Sequence, residues 1–191
     1  MKTKLAVIAI SAFLAACSSQ PNKVEKQFTD ASEISAWDTQ GRVGIRTKDD
    51  AISGNFNWHH TNEAFELNIV GPFGQGSTEL SKTKDGIVTL KNSDQTVTGD
   101  NAERLLFSQL GWRFPVAQVK YWIRGLPYPF SEARIENQPD NITLPKRIEQ
   151  DGWEVSYNSY MDVNNLELPR KIQVSKPPYR VNLIITNWTV Q

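Results

Sequence analysis

Two adjacent histidines, one cysteine and one loop with three glycines are the parts of this 191-residue chain whose types and spacing could do chemistry. His59 and His60 would suit a metal or a proton relay. They fall at the end of a predicted strand, however, where neighbouring side chains point to opposite faces, so the pair cannot share one ion without strain. Both are expected to be exposed beside the Thr61-Asn62 turn. No GxSxG elbow, HExxH pair or Walker loop occurs in the sequence. Gly71-Pro72-Phe73-Gly74-Gln75-Gly76 has the glycines of a phosphate cradle but no lysine, and it joins two predicted strands rather than a strand and a helix. Asp162-Val163-Asn164-Asn165 is rich in oxygen, yet the glycine and closing glutamate of a calcium loop are missing. No catalysis, resident metal or cofactor is expected. Lys+Arg and Asp+Glu both number 21, so the basic excess that a nucleic-acid partner demands is lacking too.

Cys17 is the residue whose setting names a reaction. Lys2 and Lys4 precede an uncharged apolar run from Leu5 to Phe13. That run is about half the roughly 20 residues of a membrane-spanning helix, and it reads as a signal peptide. Leu14-Ala15-Ala16-Cys17 resembles the bacterial lipobox, which implies cleavage of residues 1–16, a diacylglyceryl group on the thiol and acylation of the new amine. The loss of two lysines and no acid leaves the mature chain mildly acidic. Three acyl chains make such an anchor effectively permanent. Ser18 stands where an aspartate would resemble an inner-membrane retention signal, so the expected destination is the periplasmic face of the outer membrane. Residues 17–27 are polar, contain Pro21 and read as a lipidated flexible tether. Residues 28–191 form one domain, expected to be a monomer.

The elements that position these residues follow from periodicity. Asp30 with Glu33 predicts a first capped helix that stops by Gly41. Six short runs rich in Val, Ile, Thr and aromatics then span Thr39 to Gly99, too closely spaced for parallel crossovers, so they form an antiparallel meander. Asp100 with Glu103 opens a second helix carrying Leu105, Leu106 and Leu110 and ending at Gly111. Pro115 opens a third, with Val116, Val119, Trp122 and Ile123 on one face and Gly125 as its stop. Five more runs, from Ser131 to Trp188, complete about eleven strands and three helices. This is a mainly β (α+β) chain, an unclosed antiparallel barrel. Alternation in Phe65-Glu-Leu-Asn-Ile69, Trp153-Glu-Val-Ser-Tyr157 and Val181-Asn-Leu-Ile-Ile185 makes one sheet face apolar. Trp58, Leu67, Ile69, Trp122, Trp153 and Tyr157 project into that interior. Pattern alone leaves open whether they line a cavity or fill a solid core.

Phe73 sits at the tip of a loop whose neighbours, Pro72 and Gly74, have almost no side chain to cover it. An exposed ring forgoes about 2 kcal/mol of burial. It either folds back over the sheet edge or has a partner elsewhere: bilayer, acyl chain or protein.

Taken in order, the lipobox at Cys17, Trp37-Asp-Thr-Gln-Gly41, Gly54-Asn-Phe-Asn-Trp58, Gly71-Pro72-Phe73-Gly74 followed by Ser77-Thr-Glu-Leu80, Trp122-Ile-Arg-Gly-Leu-Pro127 and Asn187-Trp188 resemble the LolB family. No single motif is specific; their order and spacing are. The resemblance implies a half-barrel around an apolar cavity under a lid of helices. It also implies a receptor that accepts acylated lipoproteins from the periplasmic carrier LolA and inserts them among outer-membrane phospholipids. The family carries an exposed apolar residue, commonly leucine, in the strand-joining loop that inserts into the membrane, and Phe73 holds that place here. The alternative is a structural or envelope-assembly lipoprotein with no acyl-binding cavity.

Overall fold

The computed structural model describes residues 27–74 and 76–191. The lipidation site at Cys17, the signal peptide at 1–16, the tether through residue 26, Gln75 and the side chain of Phe73 lie outside the described residues. Eleven strands form one antiparallel sheet. The first half comprises β1 (Trp37–Arg46), β2 (Ala51–His60), β3 (Phe65–Val70), β4 (Ser77–Lys82), β5 (Val88–Lys91) and β6 (Thr96–Gly99). Helices α1 (Ala102–Leu110) and α2 (Val116–Trp122) follow, then β7 (Ala133–Asn137), β8 (Pro145–Gln150), β9 (Trp153–Val163), β10 (Leu166–Lys176) and β11 (Tyr179–Val190). The chain enters at the middle of the sheet, meanders to the β6 edge and crosses through the helices to the β7 edge. It then meanders back until β11 pairs with β1. The β6 and β7 edges do not pair, so the barrel stays open.

Local chemistry explains most of these elements. The β9–β10 connection is a two-residue turn in which Asn164 and Asn165 take φ of 54° and 67°. Asparagine tolerates that left-handed pair, which matches the twist of the flanking strands. This accounts for the oxygen-rich Asp162–Asn165 stretch. β1 and β11 slip register between Gln40 and Gly41. A Cβ at Gly41 would stand 2.1 Å from the Ile184 carbonyl oxygen, so only glycine lets the two backbones approach at this bulge.

The expected first helix is corrected. Ala31–Glu33 is a single 3-10 turn, and strand β1 runs straight through Gly41. Asp30 does cap the turn, accepting from the Ser32 N–H, but Glu33 reaches back to the N–H and hydroxyl of Thr29, which closes the turn after three residues. Ile34 and Trp37 are then buried in the main core. At α1 the cap shifts by one residue. Asn101 accepts from the Arg104 N–H at 2.8 Å, while Asp100 pairs with the Arg104 guanidinium. Glu103 accepts from the Ala117 N–H at 2.8 Å, so the first turns of α1 and α2 are bonded to each other. Gly111 ends α1 at φ 70°.

The two helices cover the concave face unevenly. α1 and the start of α2 bury Leu105, Leu106 and Val116 against Leu80, Val88 and Leu90 in one cluster. The end of α2 buries Val119, Trp122 and Ile123 in a larger cluster with Trp37, Ile148, Val155 and Ile185.

Candidate functional site: an apolar cavity under the helices

Between the concave face of β4-β3-β2-β1-β11 and the helices lies a cavity of about 70 Å³ with an almost wholly apolar lining. Strand parity aims Val43, Phe56, Trp58, Leu67, Ile69 and Leu183 into it. Leu106 and Val119 roof it, and Trp112 and Phe114 close it from the α1–α2 linker. Its rim at Arg46, Thr47 and Tyr179 lies at the end of the sheet where β1 finishes and β11 begins. In an antiparallel sheet the β3–β4 connection, with the 3-10 turn Pro72–Gly74, belongs to that same end. Loop and rim are therefore neighbours in the architecture.

The sequence-predicted cavity residues separate into groups. Trp58, Leu67 and Ile69 line the cavity. Trp122 and Tyr157 do not: Trp122 is fully buried and its Nε1–H donates to Gln150 Oε1 at 2.9 Å, while the Tyr157 hydroxyl donates to the Trp122 carbonyl at 2.8 Å. Both pin the end of α2 to the sheet. Desolvation holds the Tyr157 hydroxyl well above the usual phenol range. Trp153 faces a separate outer groove with Phe107, Arg113, Lys176 and Pro177. Phe114 and Tyr179 belong to both spaces and partition them. The Tyr179 hydroxyl reaches the Gly111 carbonyl at 3.5 Å, a long contact across that partition. Sequence reasoning passed over Trp112 and Phe114. Their signal was two aromatics in a five-residue linker that has no face of its own.

The histidines part as neighbours on a strand must. His59 is half-exposed with Nδ1 2.6 Å from Asp38. His60, expected to be exposed, is 9% exposed and stacks on Trp37 at 5.0 Å. Burial, helped by the charges of Lys120 and Arg124, pushes its pKa down to about 4. The unfolded chain therefore binds a proton below about pH 6.5 that the native chain refuses. The stabilising contribution is whole above that value and is lost as pH falls toward 4. The loss is on the order of 3 kcal/mol. Urea midpoints at pH 7 and pH 4.5 should drop more for the natural protein than for His60→Phe, which keeps the stack without the titration; equal drops would refute this assignment.

Comparisons with known proteins bear on these observations. The family described as "Outer membrane lipoprotein LolB" matches residues 35–188. The outer-membrane lipoprotein LolB of a Marinomonas species is 55% identical over 188 residues, 98% of this chain and 97% of the relative. That of Chromohalobacter salexigens is 32% identical over 95% of this chain and 87% of its own, and that of Pseudomonas aeruginosa 35% over 87% and 79%. Among solved structures, a LolA superfamily protein from Nitrosomonas europaea superposes with a TM-score of 0.51 at 8% identity, covering 86% of this chain and 88% of that one. A DUF1329 family protein from Desulfovibrio piger gives 0.54 at 6% identity over 84% and 88%. Both show the half-barrel fold alone. The match across 35–188 and the shared identity over nearly the full length place this chain in the LolB family of outer-membrane lipoproteins.

Proposed function

We infer that this protein is the outer-membrane receptor of the lipoprotein-localisation pathway, taking acylated lipoproteins from the carrier LolA and passing them to the outer membrane. The observation that carries the reading is the apolar cavity roofed by two helices in a member of this family. A structural lipoprotein with a filled core would have no use for that space.

Its size tells how it must work. At roughly 10–15 Å³ of such space per water, the cavity's 70 Å³ holds on the order of five waters or methylenes, fewer than a long acyl chain carries. The structure is the closed form, and uptake requires displacement of the roof. The segment best able to move is the linker Gly111–Pro115, held across the mouth by the Tyr179–Gly111 contact, while Trp122 and Gln150 fix the far end of α2. Transfer then needs no nucleotide or metal. Each methylene leaving water gains about 0.8 kcal/mol, so carrier, cavity and bilayer can form a downhill series.

Three further parts belong to the proposal. Cys17 carries the lipid anchor after removal of residues 1–16, the protein acts as a monomer, and Phe73 with Pro72 and Gly74 enters the phospholipid surface next to the cavity rim. The test of the central claim is to fill the space. Ile69→Trp should keep the fold and lower affinity for a fluorescent acyl lipopeptide at least tenfold, while Ile142→Trp, at a position 78% exposed, should leave it unchanged. Undiminished uptake by Ile69→Trp would remove the cavity from the mechanism.

A further inference from the structure

The outer groove, of about 540 Å³, adjoins the cavity through Phe114 and Tyr179. Its floor is aromatic: Phe114 meets Trp153 edge to face at 6.1 Å, with Phe107 at the lip. Two cations stand on this aromatic surface. The Arg113 guanidinium lies 4.0 Å over the Phe107 ring, and Lys176 Nζ lies 5.9 Å over Trp153 while donating to the Asp151 carbonyl. Neither makes an ion pair among the described residues. Of the other charges on the groove, Arg104 is paired with Asp100, while Glu103 accepts from the Ala117 N–H and keeps its negative charge, leaving the lining net positive. Arg46, on the cavity rim, is also without an ion pair among the described residues.

We propose that this groove seats the phosphate head of an anionic phospholipid, with the Arg113 guanidinium and Lys176 ammonium on the phosphate and one acyl chain passing between Phe114 and Tyr179 into the cavity. The proposal rests on the acyl-binding reading of the cavity and adds a second ligand class to it. A triacylated cysteine is uncharged and offers these cations only carbonyl oxygens, whereas a phosphate brings a charge and several acceptor oxygens. A concave aromatic floor suits glycerol and the first methylenes better than it suits a flat protein surface. The groove also opens at the sheet end that carries Pro72–Gly74. At a bilayer, phospholipid would then enter as the departing lipoprotein leaves, so the apolar space is never opened to water. Delivery becomes an exchange.

The test uses the full chain and a neutral fluorescent acyl ester as cavity probe, displaced by dioctanoyl phosphatidylglycerol or by dioctanoylglycerol, which has the same chains and no phosphate. The natural protein should prefer the phospholipid at least tenfold, and the preference should shrink with added salt. Lys176→Gln should cut the preference at least threefold yet bind dioctanoylglycerol and lipopeptide as before, and adding Arg113→Gln should abolish the preference. Equal displacement by both lipids, or a preference that survives the double substitution, overturns the proposal. So does displacement by inorganic phosphate alone, or a double variant that loses only carrier-dependent transfer, which would make the groove a carrier contact. If neither lipid nor lipopeptide displaces the probe, it is the cavity reading that fails.

Discussion

Gln150→Ala should cost roughly 4 kcal/mol of folding stability, close to the whole margin of an ordinary domain. Gln150 is 2% exposed and all of its hydrogen-bonding capacity points inward. Its Oε1 accepts from Trp122 Nε1 and from the Tyr128 N–H, both at 2.9 Å, and its Nε2 donates to the carbonyls of Tyr128 and Ser131 at 2.7 and 2.9 Å. Truncation strands two donors and two acceptors, each at about 1–3 kcal/mol where water cannot reach it, and opens a small void besides. Gln150→Glu separates the halves of the effect, since the carboxylate keeps both acceptor roles but turns a negative charge on two carbonyls. Equilibrium denaturation followed by tryptophan fluorescence measures both variants. A loss under 1 kcal/mol for Gln150→Ala would mean that α2 is not fastened here.

Phe73→Glu should leave the fold and acyl uptake intact and slow delivery to liposomes by about thirtyfold. The figure is the roughly 2 kcal/mol of aromatic burial that the loop would gain at a bilayer, converted at 1.4 kcal/mol per decade. Pushing a carboxylate toward the hydrocarbon can only add to it. Phe73→Leu keeps an apolar tip and should stay within a few-fold of the natural rate. Loading with lipopeptide, mixing with liposomes and following transfer by flotation gives the rate; unimpaired delivery by Phe73→Glu would detach the loop from the mechanism.

Much of the sheet was legible because burial imposes a period of two. The Gly111 and Gly125 stops were legible because few residues accept positive φ, whereas the Asn164-Asn165 turn was weighed only as an oxygen-rich loop. Closure of β11 on β1 was not, since pairing between the first and last strands leaves no mark in either stretch alone. The site was readable in part for the same reason. Parity aims Trp58, Leu67 and Ile69 inward, but it aims Tyr157 inward too, as the helical period does Trp122. Only the partners Gln150 and the Trp122 carbonyl distinguish a wall from a rivet. His60 was misplaced because a polar side chain at a strand end says nothing of the indole that will lie over it. The first helix shrank to one turn although Asp30 capped it as expected; Glu33 reached one position early, to Thr29, and the chain turned extended at Ile34.

The turn at Ala31–Glu33 leads into Trp37, whereas the cavity rim and Pro72–Gly74 belong to the far end of the strands. With Cys17 as the proposed anchor and the proposed loop at the bilayer, the chain would be fastened at the stern while its bow faces the same membrane. β1 is about 34 Å long at 3.4 Å per residue, and the stretch from Cys17 to Ala31 can span at most roughly 50 Å. The rope is long enough to let the hull turn over, with little to spare.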